Sequence, residues 1–180
     1  MTEHNRRSIR LKGYDYAQNG AYFVTICTQG RQCVFGEVVN GEVRLSYTGV
    51  ASLQCWNSIP EHFPNVKLDE FVIMPNHIHG IIVVDNADYR RGTACRASTD
   101  KGRTRTDAGE QFSRPVKGSL PTIVRSYKSA VSKQLGKSIW QRNYYEHIIR
   151  NDEDYLRICE YIQFNPRNWE KDELYIGEHL

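Results

Sequence analysis

The sequence lacks several features that would assign it to common protein classes. No apolar run reaches the roughly 18 residues that a membrane-spanning helix needs. The five cysteines include no CxxC pair, which argues against a cysteine-rich zinc site and against a disulfide framework. The first 20 residues contain no apolar run, so we expect no secretory signal. These absences predict a protein of a reducing cytoplasm with no membrane partner.

A strong charge of one sign is also missing from the chain as a whole. The 180 residues, enough for a single domain over residues 1–180, carry a formal net charge of only +3. Residues 86–118 nevertheless contain eight basic and four acidic side chains, so their excess of +4 exceeds that of the whole chain. A basic stretch beside an active site would attract a polyanion. We interpret it as an insertion that is either functional or a disordered, solvated linker.

The alternation of apolar patterns predicts a mixed α+β fold. Strand-like and helix-like segments follow one another as strand, hairpin, helix, two strands, helix, strand and helix, at residues 21–28, 34–45, 46–63, 66–74, 77–84, 119–135, 140–149 and 152–165. Short hairpin-type connections between strands favour antiparallel pairing. The order predicts a ferredoxin-like antiparallel sheet with helices packed on one face.

Two histidines stand on a strand that is otherwise apolar. His77 and His79 flank Ile78, and side chains two apart in a strand share one face. Two adjacent imidazoles provide half of a site for a divalent metal. The alternative is a pair of structural histidines held by hydrogen bonds, because the motif alone is weak.

The last predicted helix carries a second candidate pair. Tyr161 and Asn165 are four residues apart, so they lie on one helix face. The amide oxygen of Asn165 suits Mg²⁺ or Mn²⁺ as a third ligand. Tyr161 offers a nucleophile, although a phenol with a pKa of about 10 needs help to lose its proton. The alternative is a core tyrosine beside a helix-ending Asn-Pro.

Three ordered motifs resemble the signature segments of the IS200-like HUH transposases. They are MPNHIHGIIVV at residues 74–84, WQRNYYEHIIRN at residues 140–151 and EYIQFNP at residues 160–166. Within that group the chain most resembles the REP-associated tyrosine transposases. The resemblance runs from about residue 22 to residue 169 and excludes the basic stretch.

The resemblance implies an HUH endonuclease fold and a specific chemistry. It places the metal ligands at His77, His79 and Asn165 and the nucleophile at Tyr161, with Mg²⁺ or Mn²⁺ as cofactor. The implied reaction cuts and rejoins single-stranded or hairpin DNA in the bacterial cytoplasm, near the nucleoid, through a 5′-phosphotyrosine and a free 3′-OH. Members that work as monomers and members that work as homodimers leave the oligomeric state open.

Basic and aromatic side chains outside the insertion are candidates for DNA contact, since such mixtures suit single strands. They are Arg125, Lys128, Arg142 and Tyr144. Two other functions stay open at this point. A domesticated relative could bind structured single-stranded nucleic acid without cutting it. A metal hydrolase using activated water could employ the histidines and make Tyr161 dispensable.

Overall fold

A computed structural model describes residues 14–85 and 116–177. The predicted insertion at 86–118 therefore lies outside the described residues except for its last three positions. The described elements are β1 (Gly20–Cys27), β2 (Gly36–Val39), β3 (Glu42–Leu45), α1 (Tyr47–Asn57), α2 (Ile59–His62), β4 (Val66–Ile73), β5 (His77–Val84), α3 (Leu120–Leu135), β6 (Tyr145–Ile149) and α4 (Asp152–Phe164). No helix within these two ranges is long and apolar enough to span a bilayer.

Four strands form one antiparallel sheet in the order β4-β5-β1-β6. Helices connect β1 to β4 and β5 to β6, which is the ferredoxin-like βαββαβ arrangement. Strand β5, with its run of β-branched residues, lies between β4 and β1 and is nearly fully buried. The predicted α+β class and antiparallel ferredoxin-like sheet are confirmed.

The helices do not all pack on one face, and this part of the fold prediction is wrong. Helices α1 and α3 cover the face that carries Val24 and Ile78, whereas α4 packs on the opposite face against Phe23 and Ile81. The reason is that β1 and β5 are apolar at successive positions, so both of their faces must be shielded from water. The face under α4 is the one that carries His79, since Phe23, Thr25 and His79 point the same way.

Glycine determines the local backbone structure at two positions, the turn between β2 and β3 and the middle of β5. Asn40 and Gly41 adopt positive φ angles of 54° and 76°, which gives the predicted type I′ hairpin between β2 and β3. Gly80 follows the histidines on β5 because the ring of Trp56 lies against its backbone. A Cβ at position 80 would meet the Trp56 ring at 2.5 Å, so only glycine fits there.

Two predicted elements are shorter than expected. The helix predicted at 46–63 divides into α1 and α2 at Ser58, because Pro60 begins a new short helix. The strand predicted at 140–149 begins only at Tyr145. The segment before it is held differently, since Lys128 Nζ donates to the carbonyls of Gln141 at 2.8 Å and Asn143 at 2.9 Å. A lysine thus replaces the strand partner that those carbonyls would need.

Candidate metal and tyrosine site

The two histidine side chains of β5 lie next to each other, as their spacing predicts. Their ring centroids are 4.4 Å apart. His77 is fully buried and His79 is 2% exposed, so water does not satisfy their ring nitrogens. Burial is the largest cause that lowers the pKa of His77 to about 4, and it also holds the pKa of His79 well below its usual value. Both rings are therefore neutral near pH 7, which is the form that binds metals.

The buried amide of Asn76 fixes which nitrogen of His77 is free. Asn76 Nδ2 donates to the carbonyl of Leu174 at 2.8 Å, so its Oδ1 is the acceptor that faces His77 Nδ1 at 2.8 Å. His77 Nδ1 must then carry the proton, which leaves a lone pair on Nε2. His77 Nε2 is buried and has no hydrogen-bond partner among the residues that the structure describes. A buried imidazole nitrogen with a free lone pair can act as a metal ligand.

His79 is held in the same way by a different neighbour. Its Nδ1 lies 2.9 Å from the hydroxyl oxygen of Thr25, which is the residue opposite it on β1. Its Nε2 lies 3.2 Å from the hydroxyl oxygen of Tyr161. The Phe23 ring stacks on the imidazole with centroids 5.3 Å apart, which limits rotation of the ring. The second imidazole nitrogen therefore faces the phenol.

Helix α4 brings Tyr161 to this position. The helix begins where Asn151 Oδ1 accepts from the backbone N–H of Asp154 at 2.8 Å, and acidic residues fill its first turn. Tyr161 stands on the last turns, and its side chain is half exposed. Burial is the largest cause that raises the pKa of its phenol to about 12, and the nearby Asp172 carboxylate adds to the shift. The free protein therefore holds the phenol protonated at neutral pH.

Asn165 lies one turn after Tyr161 and is buried, at 3% exposure. Its Nδ2 donates to Asp172 Oδ2 at 2.7 Å, and its Oδ1 is buried with no partner in residues 14–85 and 116–177. An unpartnered amide oxygen is costly unless something else binds it. The structure thus brings together all four residues predicted for the metal and nucleophile.

Asp172 is the member of the site that sequence reasoning missed. It follows the short helix Pro166–Lys171, and its Oδ2 accepts from Tyr161 at 3.3 Å. Its carboxylate and the nitrogens of His77 and His79 all lie within 4.8 Å of one another. No periodic pattern marks a residue in an irregular segment, and the neighbouring Glu170 and Glu173 give the sequence no reason to single out Asp172. Asn76 and Thr25 were missed for a similar reason, because they act through the histidines.

The four side chains predicted to contact DNA lie at different positions relative to the site. An open cleft lies beside Tyr161 and His79, and Tyr144 lines it. Lys128 uses its ammonium to bind two backbone carbonyls, which leaves little of it for a phosphate. Arg142 is exposed between two residues that line the cleft, whereas Arg125 is exposed on α3, on the opposite side of the sheet. Tyr127, on α3, is buried in the core on that other side of the sheet.

The chain is similar in sequence or in fold to proteins described as transposases. A search of family models finds no match. An uncharacterized protein of Haemophilus influenzae is 45% identical over 181 residues and covers 96% of this chain and 94% of its own length. A candidate REP-associated tyrosine transposase of the same organism is 29% identical over 152 residues, covering 84% of this chain and 73% of its own. The solved structure of a REP-associated tyrosine transposase bound to a REP hairpin superposes with a TM-score of 0.60 at 19% identity, covering 91% of this chain and 74% of that one.

Proposed function

We propose that this chain is a REP-associated tyrosine transposase that cuts and rejoins single-stranded DNA through a covalent link to Tyr161, and its similarity to two transposases of that description supports the proposal. The observation that carries the proposal is the distance of 3.2 Å between the Tyr161 hydroxyl oxygen and His79 Nε2 within one chain. That contact supports a cis arrangement, in which one chain supplies both the nucleophile and the metal ligands. A relative of known structure binds a REP hairpin, and we propose hairpin DNA as the substrate here too.

The residues around Tyr161 fit a divalent cation. His77 Nε2 and Asn165 Oδ1 are buried without partners, and His79 Nε2 faces the same site. A neutral imidazole pair with an amide oxygen suits Mg²⁺ or Mn²⁺, and the Asp172 carboxylate supplies negative charge beside them. When bound, the cation would withdraw charge from a non-bridging phosphate oxygen and make the phosphorus more electrophilic.

Tyr161 and Asp172 would carry out the transfer of the phosphoryl group. The Tyr161 oxygen bonds to phosphorus while the bond from phosphorus to the 3′ oxygen breaks, so the products are a 5′-phosphotyrosine and a free 3′-OH. The phenolic proton passes to Asp172 Oδ2, to which Tyr161 already donates, and the 3′ oxygen takes its proton from water. Attack by a 3′-OH on the phosphotyrosine reverses these steps and rejoins a strand without an external energy source.

A denaturing gel tests the proposed reaction. A labelled hairpin oligonucleotide with a single-stranded flank is incubated with the protein and Mn²⁺, and a protein–DNA adduct is expected to survive denaturation. Tyr161→Phe should abolish the adduct, because it removes only the nucleophilic oxygen. Tyr155→Phe is the matched control, since Tyr155 stands on the same helix but donates to Asp69 at 2.7 Å. It should form the adduct at close to the wild-type level.

Other results of the same gel would select a different function. Cutting without an adduct, retained in Tyr161→Phe, would indicate a hydrolase that uses water as the nucleophile. Binding of the hairpin with no cutting at any Mn²⁺ or Mg²⁺ concentration would indicate a domesticated binding protein. Either result would refute the role proposed for Tyr161.

A further inference from the structure

We propose that the groove between β6 and α4 is a subsite for one nucleotide of single-stranded DNA, in which Tyr145 stacks on the base and Arg157 binds the phosphate. The proposal rests on the proposed function only for the identity of the strand as DNA that enters the tyrosine site. Both residues line the cleft that also contains Tyr161 and His79.

The floor of the groove comes from two neighbouring strands. Tyr145 lies opposite Thr25, and His147 lies opposite Phe23, so these side chains share the face of the sheet that α4 covers. Strand β6 is an edge strand of its sheet, which leaves this side of the groove open to a ligand. An extended strand of DNA could therefore enter over β6 and reach Tyr161.

Tyr145 is an exposed aromatic ring at the entrance to the site. It is 56% exposed, although it stands on a strand whose other residues are at least partly covered. Its ring meets Phe23 edge to face with centroids 6.4 Å apart, and Phe23 meets Tyr161 in the same way at 6.1 Å. Phe23 thus contacts both tyrosine rings, and it is the one ring between Tyr145 and the proposed nucleophile Tyr161. A base stacked on Tyr145 would belong to a nucleotide close to the scissile phosphate.

Arg157 stands on α4 one turn before Tyr161, so both side chains lie on the same face of the helix. One of its amino groups contacts Asp154 Oδ1 at 2.5 Å, and the other oxygen of that carboxylate contacts His147 Nε2 at 2.7 Å. Those two hydrogen bonds are the largest causes that lower the pKa of Asp154, so the carboxylate stays ionised and fixes the guanidinium. The side chain of Arg157 is nevertheless 68% exposed, so most of the guanidinium is accessible to a ligand.

The chemistry of this pair matches a nucleotide better than a protein or a metal. A guanidinium held at one end is suited to a phosphate, which it can bind through two parallel hydrogen bonds. A flat exposed ring beside it binds any base, because every base offers a π face. Both features are independent of sequence, so the subsite would grip the strand without selecting a base.

The test measures binding of a short fluorescein-labelled single strand by anisotropy, with EDTA present so that no cutting occurs. Arg157→Ala should lower the slope of log affinity against log salt by about 0.7, the value for one phosphate contact in a single strand. Tyr145→Ala should weaken binding by about 5- to 100-fold with little change in that slope, and Tyr145→Phe should restore it. Lys133→Ala and Tyr47→Ala are matched controls, since both residues are exposed on helices that cover the other face.

Several outcomes would decide the matter. Wild-type affinity and slope in both groove variants would overturn the proposal, and so would equal losses in the two controls. Loss in the groove variants alone supports it, even if the denaturing gel shows no tyrosine adduct, in which case the proposed cutting fails and the subsite stands. An adduct formed normally while neither groove variant affects binding would refute the subsite and leave the proposed function intact.

Discussion

Replacement of Asn76 by alanine tests how the protein orients the first of its metal ligands. Asn76 is fully buried and makes two hydrogen bonds of 2.8 Å, one with His77 Nδ1 and one with the carbonyl of Leu174. Without the amide, both of those groups stay buried and unpaired, at a cost of about 1–3 kcal/mol for each. We expect Asn76→Ala to lower the free energy of unfolding by about 2–4 kcal/mol after partial relaxation. Freed from Asn76, His77 can change its tautomer, so Mn²⁺ affinity should fall by about 10- to 100-fold.

Two measurements separate the structural from the metal-directed effect of that change. Urea unfolding in EDTA gives the loss of stability, and titration with Mn²⁺ followed by electron paramagnetic resonance gives the affinity. Asn57→Ala is the control, because Asn57 is exposed at the end of α1, and its effect on unfolding should stay within about 0.5 kcal/mol. An Asn76→Ala protein that is folded and binds Mn²⁺ as tightly as the wild type would refute the reasoning about His77.

Four further outcomes follow from the same geometry. Gly80→Ala should destabilise the fold by about 1–3 kcal/mol in urea unfolding, because the new Cβ would lie 2.5 Å from the Trp56 ring, and an unchanged midpoint would contradict that close approach. Asp172→Asn should slow adduct formation far more than it weakens Mn²⁺ binding, whereas an equal loss in both would make Asp172 a ligand instead of the proton acceptor. A mixture of Tyr161→Phe and His79→Ala chains should form no adduct if each chain uses its own tyrosine, and recovered activity would indicate exchange between two chains. Burial lowers the pKa of the His79 imidazole in the folded protein, so this imidazole binds a proton more readily in the unfolded chain. Stability in EDTA should therefore be full above about pH 6.5 and fall as the pH is lowered, and equal urea midpoints at about pH 7.5 and about pH 5 would contradict this.

Much of the frame was predictable because it depends on local periodicity. Alternation of side chains along a strand placed His77 and His79 side by side before any fold was known, and their ring centroids are 4.4 Å apart. A four-residue spacing placed Tyr161 and Asn165 on one face of a helix that Asn151 caps. These relations extend over a few residues, so the sequence contains all that is needed to infer them.

The packing side of α4 was predicted wrongly and Asp172 was missed, because both depend on contacts between distant segments of the chain. Whether α4 covers the same face of the sheet as α1 is not encoded in the pattern of either helix, since each has an apolar stripe that would fit any apolar surface. A hydroxyl on α4 can reach His79 only from the face that His79 occupies, so a contact between Tyr161 and the histidine site requires α4 on that face. Asp172 comes from an irregular segment with no repeating pattern, and its approach to the site is fixed by the turn of chain before it.

The central claim is that His77, His79 and Asn165 hold a divalent cation beside the hydroxyl of Tyr161 in the same chain. Anomalous diffraction from crystals soaked in Mn²⁺ tests it most directly. The account predicts one strong peak at coordination distance, about 2.0–2.3 Å, from the Nε2 atoms of both histidines, next to the tyrosine of that chain. A saturated crystal whose Mn²⁺ lies elsewhere, with the two imidazoles unligated, would contradict it.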